Sequence, residues 1–296
     1  MAINMSIIQS MRLPFLVLTP VCVFLAVAIA LSQHINISLL HVLVALVGAL
    51  AAHIAVNTIN EYQDFKSGLD FKTKQTPFSG GSGLLPANPN LAKKVYSLSI
   101  LSVLVTIVVG LYFIFLYGYS IIPLGIIGLL IIVTYTKWIN KAALLCLIAP
   151  GLGFGTLIIG GTYFCIAGHF DNSMWLITVI PFLLINNLLL LNQFPDVEAD
   201  KSSGRKHFPI KYGIKASIVV YAFFTVSAQL MLVYLIKTEH LPAYAIVSII
   251  PMLLGYISIT GMIKLGQNIA SQPKFMAANV ACSILTPLVL AVTLLF

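Results

Sequence analysis

Acidic and charged residues are scarce in this chain. Only eight of its 296 residues are Asp or Glu, and all charged residues together make up 8% of the sequence, against roughly 25% in soluble domains. With a mean hydropathy of +1.02, this composition excludes an ordinary soluble domain and indicates an integral membrane protein. The apolar runs suit helices of about 20 residues, and the alternating segments of a membrane barrel are absent.

Cysteine is also rare, and its placement argues against a disulfide framework or a zinc site. The four cysteines lie inside apolar runs and no Cys-x-x-Cys occurs, so they are predicted to be small buried hydrophobic residues. The net charge of +8 would suit nucleic acid, but membrane proteins carry their excess Lys and Arg in cytoplasmic loops. We therefore predict the lipid bilayer and small molecules as partners, and no nucleic acid.

Hydropathy predicts an all-α fold in which nine transmembrane helices form one bundle around a central cavity, with a single domain over residues 1–296. The first apolar run also contains Ala-x-Ala steps like those of signal-peptide cleavage sites, but it is long for a signal peptide and we interpret it as a helix. The predicted spans are 13–31, 38–59, 93–116, 119–136, 142–167, 174–193, 214–236, 242–263 and 275–295.

The positions of Lys and Arg predict the orientation of these helices. With the N-terminus in the cytoplasm, 15 of the 16 basic residues lie on the inner side and Lys237 alone lies outside, as the positive-inside rule requires. The loops 60–92 and 194–213 are then cytoplasmic, and the cavity opens toward them. We thus expect a multi-pass protein of the cell inner (plasma) membrane with its active site facing the cytoplasm. The glycine-rich segment 79–83 is either a lid or a flexible connection.

Six of the eight acidic residues are gathered in two stretches, 60–70 and 192–200. In each, an Asn is followed four residues later by an Asp, a spacing that places both side chains on one face of a helix. Carboxylate and amide oxygens suit Mg²⁺ or Mn²⁺, and Mg²⁺ binds best to a few carboxylates together with substrate phosphates. Two such columns facing each other would hold a diphosphate through Mg²⁺. The residues concerned are Asn60, Asp64, Asn192, Asp196 and Asp200.

Other interpretations of these acids stay open. In an ion-coupled transporter, intramembrane acids mark the pathway, although transporter sites usually lie near the bilayer midplane and these acids lie at predicted helix ends. The acids could also pair only with loop lysines at the membrane surface. A non-catalytic protein that binds a prenyl lipid or serves as a scaffold is a third class.

Both stretches resemble the aspartate-rich motifs of the UbiA superfamily of membrane prenyltransferases, and the resemblance covers nearly the whole chain. The first motif reads Asn60-Glu61-Tyr62-x-Asp64-Phe65-Lys66-x-Gly68-x-Asp70, and the second reads Asp196-x-x-x-Asp200 followed by Gly204-Arg205-Lys206. Arg12-Leu-Pro before the first helix and Gly161-Thr162-Tyr163 in the fifth are also similar to the family.

The third acid of the first motif separates branches of the superfamily. The 4-hydroxybenzoate branch commonly places it where Gly68 stands, whereas Asp70 after Lys-x-Gly is similar to the 1,4-dihydroxy-2-naphthoate prenyltransferases of menaquinone synthesis, as is Asn192. Two positions depart from the common pattern. Glu61 replaces the more frequent Asp, and Phe154 follows Gly-Leu-Gly where the family often has Glu, which puts the shape of the acceptor pocket in doubt.

The resemblance implies a Mg²⁺-dependent enzyme that transfers a polyprenyl group from an allylic diphosphate to an aromatic acceptor. The acceptor it favours is 1,4-dihydroxy-2-naphthoate, and the alternatives are 4-hydroxybenzoate, homogentisate, another quinone precursor or a glycerol-phosphate lipid. The implied catalytic residues are Asp64, Asp196 and Lys141. The implied metal ligands are Asn60, Glu61, Asp64, Asp70, Asn192, Asp196 and Asp200. The implied substrate-binding residues are Arg12, Lys66, Lys201, Lys206, Tyr62, Tyr135 and Tyr163.

Overall fold

A computed structural model describes residues 7–296, and within that range the chain is helical and contains no strand. Among these described residues, eight helices are long and apolar enough to cross a membrane, and a shorter apolar helix lies between two of them. In chain order the helices are α1 (Leu13–Ser32), α2 (Leu39–Ser67), α3 (Pro89–Tyr117), α4 (Tyr119–Thr134), α5 (Ala143–Ala167), α6 (Asn172–Asn192), α7 (Phe208–Lys237), α8 (Ala243–Ser271) and α9 (Pro273–Thr293). The expected all-α membrane fold is confirmed, whereas nine complete spans remain a prediction.

The core lies where α1 and α6 pack against α5 and α9. Cys22, Leu25 and Ile29 of α1 have no exposed surface, and Leu184 of α6 has almost none. On the facing side of α6, α5 approaches so closely that a Cβ atom at Gly155 would lie 2.5 Å from the backbone nitrogen of Phe182. The helix that leads into the second acidic stretch is therefore enclosed on several sides.

The end of α2 differs from the prediction. Hydropathy places the end of this span near residue 59, but the helix continues for two more turns to Ser67 and ends at Gly68, whose φ of 77° is left-handed. A left-handed residue at this position closes a helix, and glycine adopts it at the lowest steric cost. Polar residues ended the hydropathy signal and not the helix, so the predicted loop begins eight residues later than expected.

The second acidic stretch also differs from the prediction, because it does not form one continuous column. Helix α6 ends at Asn192, and a turn that includes Pro195 separates it from a short helix, Val197–Ser202. Pro195 has no backbone N–H to donate to the last turn of α6 and its ring crowds that turn, which favours the end of the helix here. The Asp196 carbonyl accepts the Asp200 N–H at 2.8 Å, which starts the short helix in a new direction.

Candidate active site

A cavity of about 560 Å³ lies inside the bundle and reaches the ends of α2 and α6. Its mouth is polar, with carboxylates from both acidic stretches. Deeper in, its walls are apolar and come from helices α2 to α5, with small residues such as Ala45, Gly48 and Ala49 along α2. The cavity thus joins a charged mouth to a long hydrophobic arm.

One cation connects the two acidic stretches. The Arg205 guanidinium contacts Asp64 Oδ1 at 2.5 Å and Asp200 Oδ1 at 2.8 Å. Burial lowers the pKa of Arg205, but the carboxylates of Asp64 and Asp200 raise it above its ordinary value, so this side chain keeps its charge. His207 Nε2 lies 2.9 Å from the second oxygen of Asp200. The protein thus supplies Asp64 and Asp200 with one shared arginine, which offsets part of their negative charge.

Asp70 and Asp196 lack an arginine partner of the kind that Asp64 and Asp200 share. Burial raises the pKa of Asp70 to about 7, with a further contribution from the charges of Asp64 and Glu61. Burial likewise raises the pKa of Asp196 to about 7, assisted by the nearby charge of Asp200. In the part of the chain that the structure describes, neither forms an ion pair within 4 Å. These two carboxylates share a cavity mouth that is short of positive charge.

Unpartnered oxygens in the mouth test whether a metal ion would fit. Asp70 Oδ2 and Asn192 Oδ1 are buried and accept no hydrogen bond from residues 7–296, and both residues line the cavity. An all-oxygen donor set suits Mg²⁺. As the described side chains stand, no three acidic, His or Cys side chains converge on one point, and Arg205 contacts both Asp64 and Asp200. The chemistry of the oxygen donors, including the two unpartnered ones, fits a magnesium ion.

The segment Thr76–Gly83, which we name the strap, crosses the mouth. The Gly80 N–H donates to Asp196 Oδ2 at 3.2 Å, and the Ser82 N–H donates to Glu61 Oε2 at 3.2 Å. The strap therefore contacts both acidic stretches. Within the strap, the Thr76 hydroxyl accepts the Ser79 N–H at 2.8 Å. This hydrogen bond closes a turn that stabilises the conformation of the strap.

The structure brings about half of the predicted site residues to the cavity. The predicted residues that line it are Arg12, Asn60, Asp64, Asp70, Tyr135, Asn192, Asp196 and Asp200. The predicted residues that do not line it are Glu61, Tyr62, Lys66, Lys141, Tyr163, Lys201 and Lys206.

The residues outside the cavity have other surroundings. The four lysines are exposed, and Lys66 Nζ lies 5.8 Å above the ring of Tyr62, which itself packs against Tyr96. Tyr163 is fully buried, and its hydroxyl donates to Gln33 after the end of α1, away from the acidic stretches. Substrate roles for these side chains remain predictions that no contact in the structure supports.

Arg205 and His207 are not among the predicted site residues, yet both line the mouth. Their position in the sequence could have indicated them, because both follow Asp200 within seven residues. The short helix ends at Ser202, and the turn after it brings both side chains back to Asp200. Asn140 and Gln193 were also missed. Both contact the buried thiol of Cys146, at 3.2 Å each.

Comparison with known proteins agrees with this geometry. A family model described as the UbiA prenyltransferase family matches residues 20–283, so the chain belongs to that family. A 1,4-dihydroxy-2-naphthoate octaprenyltransferase of Bacillus subtilis (strain 168) is 27% identical over 211 residues. That match spans 69% of this chain and 65% of the relative, slightly under two thirds of its length.

Solved structures share the fold at low sequence identity. A UbiA homologue from Aeropyrum pernix K1 superposes with a TM-score of 0.71 at 15% identity, covering 95% of this chain and 96% of that one. A UbiA homologue from Archaeoglobus fulgidus bound to GPP and Mg²⁺ gives a TM-score of 0.69 at 14% identity, covering 98% and 99%. At these identities the likeness establishes the fold.

Proposed function

We propose that this protein transfers a polyprenyl group from an allylic diphosphate to an aromatic carbon, with Mg²⁺ as its cofactor. The observation that carries the proposal is the shared cavity: carboxylates of both acidic stretches meet at a polar mouth that continues into an apolar arm. A diphosphate bound through Mg²⁺ suits the mouth, and an isoprenoid tail suits the arm. The structure of a relative bound to GPP and Mg²⁺ supports this pairing.

The oxygen donors at the mouth are the residues that would hold the metal. They are Asn60, Asp64, Asp70, Asn192, Asp196 and Asp200. When bound, Mg²⁺ neutralises the negative charge that grows on the diphosphate as the C–O bond breaks. Arg205 and Arg12 line the same mouth and, as planar donors, would grip the diphosphate oxygens.

Chemistry then proceeds in the dry part of the cavity. The electrons of the breaking C–O bond leave with the diphosphate, and the apolar walls shield the allylic cation from water. Tyr135 lines the cavity, and the face of its ring could stabilise a nearby cation. The ring carbon of the acceptor supplies the electron pair for the new C–C bond. With 1,4-dihydroxy-2-naphthoate, the carboxylate leaves as CO₂ and its bonding electrons restore the aromatic ring.

The acceptor we favour is 1,4-dihydroxy-2-naphthoate, which would place the protein in menaquinone biosynthesis. Two observations support it: the position of the third acid, Asp70, and the similarity to a naphthoate octaprenyltransferase. Because Lys and Arg concentrate on the side of the bundle that carries the mouth, we further propose that the mouth faces the cytoplasm of a cell with the protein in its plasma membrane.

Purified protein incubated with radiolabelled prenyl diphosphate and Mg²⁺ tests the proposal. The acceptors are 1,4-dihydroxy-2-naphthoate, 4-hydroxybenzoate, homogentisate and a glycerol phosphate, and lipid extraction identifies the product. We expect the naphthoate adduct, and we expect Asp64→Ala and Asp196→Ala to abolish it in folded protein. Retained activity in both variants would remove the metal site. Gradient-driven uptake into liposomes without transfer would support the transporter class instead, and binding without turnover would support a scaffold.

A further inference from the structure

We infer that Glu61 is a positioning residue that fastens the strap over the cavity mouth, and is not a metal ligand. The inference deepens the proposed function and rests on it for the identity of what lies beneath the strap. The contacts themselves are independent of any ligand. They come from α2, from the segment before α1 and from the strap.

The oxygens of Glu61 are already used. Two groups of Ser82 donate to the Glu61 carboxylate. The Ser82 backbone N–H contacts Oε2 at 3.2 Å, and the Ser82 hydroxyl contacts Oε1. Arg12 Nη2 lies 3.5 Å from the same Oε2. The Glu61 side chain has no exposed surface and does not line the cavity. A carboxylate with two strap donors and one cation is satisfied without a metal.

Helix geometry explains why Glu61 differs from its neighbours. Asn60 and Asp64 are four residues apart on α2 and face the cavity together, whereas Glu61 lies about 100° around the helix from Asn60. Its side chain therefore points toward the strap. Glu is one methylene longer than Asp, and this extra length extends the reach of the Glu61 carboxylate toward the hydrogen-bond donors of Ser82.

What Glu61 fastens is the part of the strap nearest to the acidic side chains. Gly81 adjoins Ser82, and a Cβ atom at Gly81 would lie 3.2 Å from Asp70 Oδ1 and 3.8 Å from Arg12 Nη2. With a φ of 74°, this position suits glycine for its backbone shape as well. On the other side of Gly81, the Gly80 N–H reaches Asp196. Fixing Ser82 therefore fixes backbone over both uncompensated carboxylates.

The C-terminal end of the strap is anchored in the protein. The Ser82 hydroxyl also accepts the Leu84 N–H at 3.2 Å, and Leu84 and Leu85 are fully buried. The N-terminal end follows the exposed residues Lys72 and Lys74. Opening the strap thus requires breaking its bonds to Glu61 and Asp196. The strap also covers the backbone at Lys74, because a Cβ atom at Gly80 would lie 2.5 Å from the Lys74 carbonyl oxygen, so trypsin cleavage at Lys72 and Lys74 is expected to rise when the strap opens.

The experiment compares Glu61→Gln, Ser82→Ala and Ser82→Thr in purified full-length protein. Trypsin cleavage after Lys72 and Lys74 measures strap opening, and electron paramagnetic resonance of added Mn²⁺ measures metal binding. We expect Ser82→Ala and Glu61→Gln to speed cleavage roughly tenfold, since each removes a hydrogen bond to a charged group. We expect Ser82→Thr to restore the wild-type rate. Mn²⁺ affinity should stay within about twofold in all three, whereas Asp196→Asn should lose it.

Controls separate this inference from the proposed function. Glu198→Gln is the matched control, because Glu198 has the same charge, lies in the second acidic stretch and is exposed; it should change neither readout. If Glu61→Gln fails to fold, Ser82→Ala leaves Glu61 intact and answers the same question. Loss of Mn²⁺ binding in Glu61→Gln alone, or unchanged cleavage in Ser82→Ala, would overturn the inference. Neither measurement requires turnover, so failure of prenyl transfer in every assay would remove the proposed function and leave this test intact.

Discussion

Two pairs of carboxylates meet at the same cavity mouth, and they differ in how their charge is compensated. Asp64 and Asp200, one from each acidic stretch, share the Arg205 guanidinium at 2.5 and 2.8 Å. Asp70 and Asp196, also one from each stretch, have no ion-pair partner among the described residues, and burial raises the pKa of each to about 7. One pair is therefore joined by an arginine of the protein, and the other has no such partner among the described residues.

The difference separates a pair of carboxylates that the protein joins through an arginine from a pair that it leaves without a cation. The protein itself stabilises the pair that an arginine already joins. The other pair lowers the stability of the folded protein when it is ionised, because buried charges need a partner. A bound cation would offset this cost. We therefore assign the primary attraction for a divalent cation to Asp70, Asp196 and the unpartnered oxygen of Asn192.

The largest effect on stability is expected from breaking the compensated pair. Asp200→Asn leaves Arg205 with one carboxylate instead of two, and removing one member of a buried ion pair costs about 3 kcal/mol. The thermal unfolding midpoint in detergent, measured with EDTA, should fall clearly. Glu198→Gln, which removes an exposed acid from the same stretch, should leave the midpoint unchanged. An unchanged midpoint in Asp200→Asn would show that the Arg205 bridge contributes nothing.

Arg205→Gln is expected to have opposite effects on two ligands. Without the guanidinium, Asp64 and Asp200 are free for a metal, so Mn²⁺ alone should bind roughly tenfold more tightly. Inorganic pyrophosphate added with Mn²⁺ should bind roughly tenfold more weakly, because a planar donor is lost. Calorimetric titration measures both. Lys206→Gln removes the same charge from the neighbouring exposed residue and serves as the control. Changes of the same sign for both ligands would contradict the exchange of partners.

The fold was largely predictable from the sequence, and the errors in the predicted helix boundaries have one physical cause. Apolar length reports where lipid begins and ends, and it placed most span boundaries to within about four residues, apart from the start of α7 and the ends of α2 and α8. It does not report where a helix ends in water. Helix α2 therefore extended past the predicted boundary to Gly68, which brought Asn60 and Asp64 onto the same rigid element as the membrane span.

The types of residue at the site were predictable from the sequence, whereas the directions in which their side chains point were not. The acids gathered in two stretches predicted the carboxylate and amide oxygens that line the mouth, which are the donor types that suit Mg²⁺. Glu61 belongs to the same motif, but its direction follows from its angle around α2 and from the strap, and spacing alone did not resolve that. Arg205 was missed because it reaches Asp64 only through the turn after Ser202, a contact between residues 141 positions apart.

Neutralising the uncompensated pair should stabilise the protein slightly. A folded pKa of about 7 for Asp196 lies above its ordinary value of 3.8, so the carboxylate destabilises the folded state fully above pH 7, and this cost decreases progressively as the pH falls from 7 toward 3.8. At pH 8 with EDTA, Asp196→Asn should therefore raise stability by about 1 kcal/mol, far less than a dry site would give, because the mouth is open to water. Thermal unfolding measures it. A lower midpoint would contradict the contrast between the pairs.

The smallest effects are expected from the exposed lysines, including Lys141, which the sequence predicted to be catalytic. Lys141, Lys66 and Lys201 are exposed and do not line the cavity, so they act on a diphosphate only through a field that salt screens. Lys141→Gln should raise the KM for prenyl diphosphate by less than about threefold at 0.15 M salt and leave kcat unchanged, with a larger effect at 0.01 M. A loss of kcat that is independent of salt would instead show that Lys141 reaches the diphosphate, and that the compensated and uncompensated pairs share their ligand with a third cation.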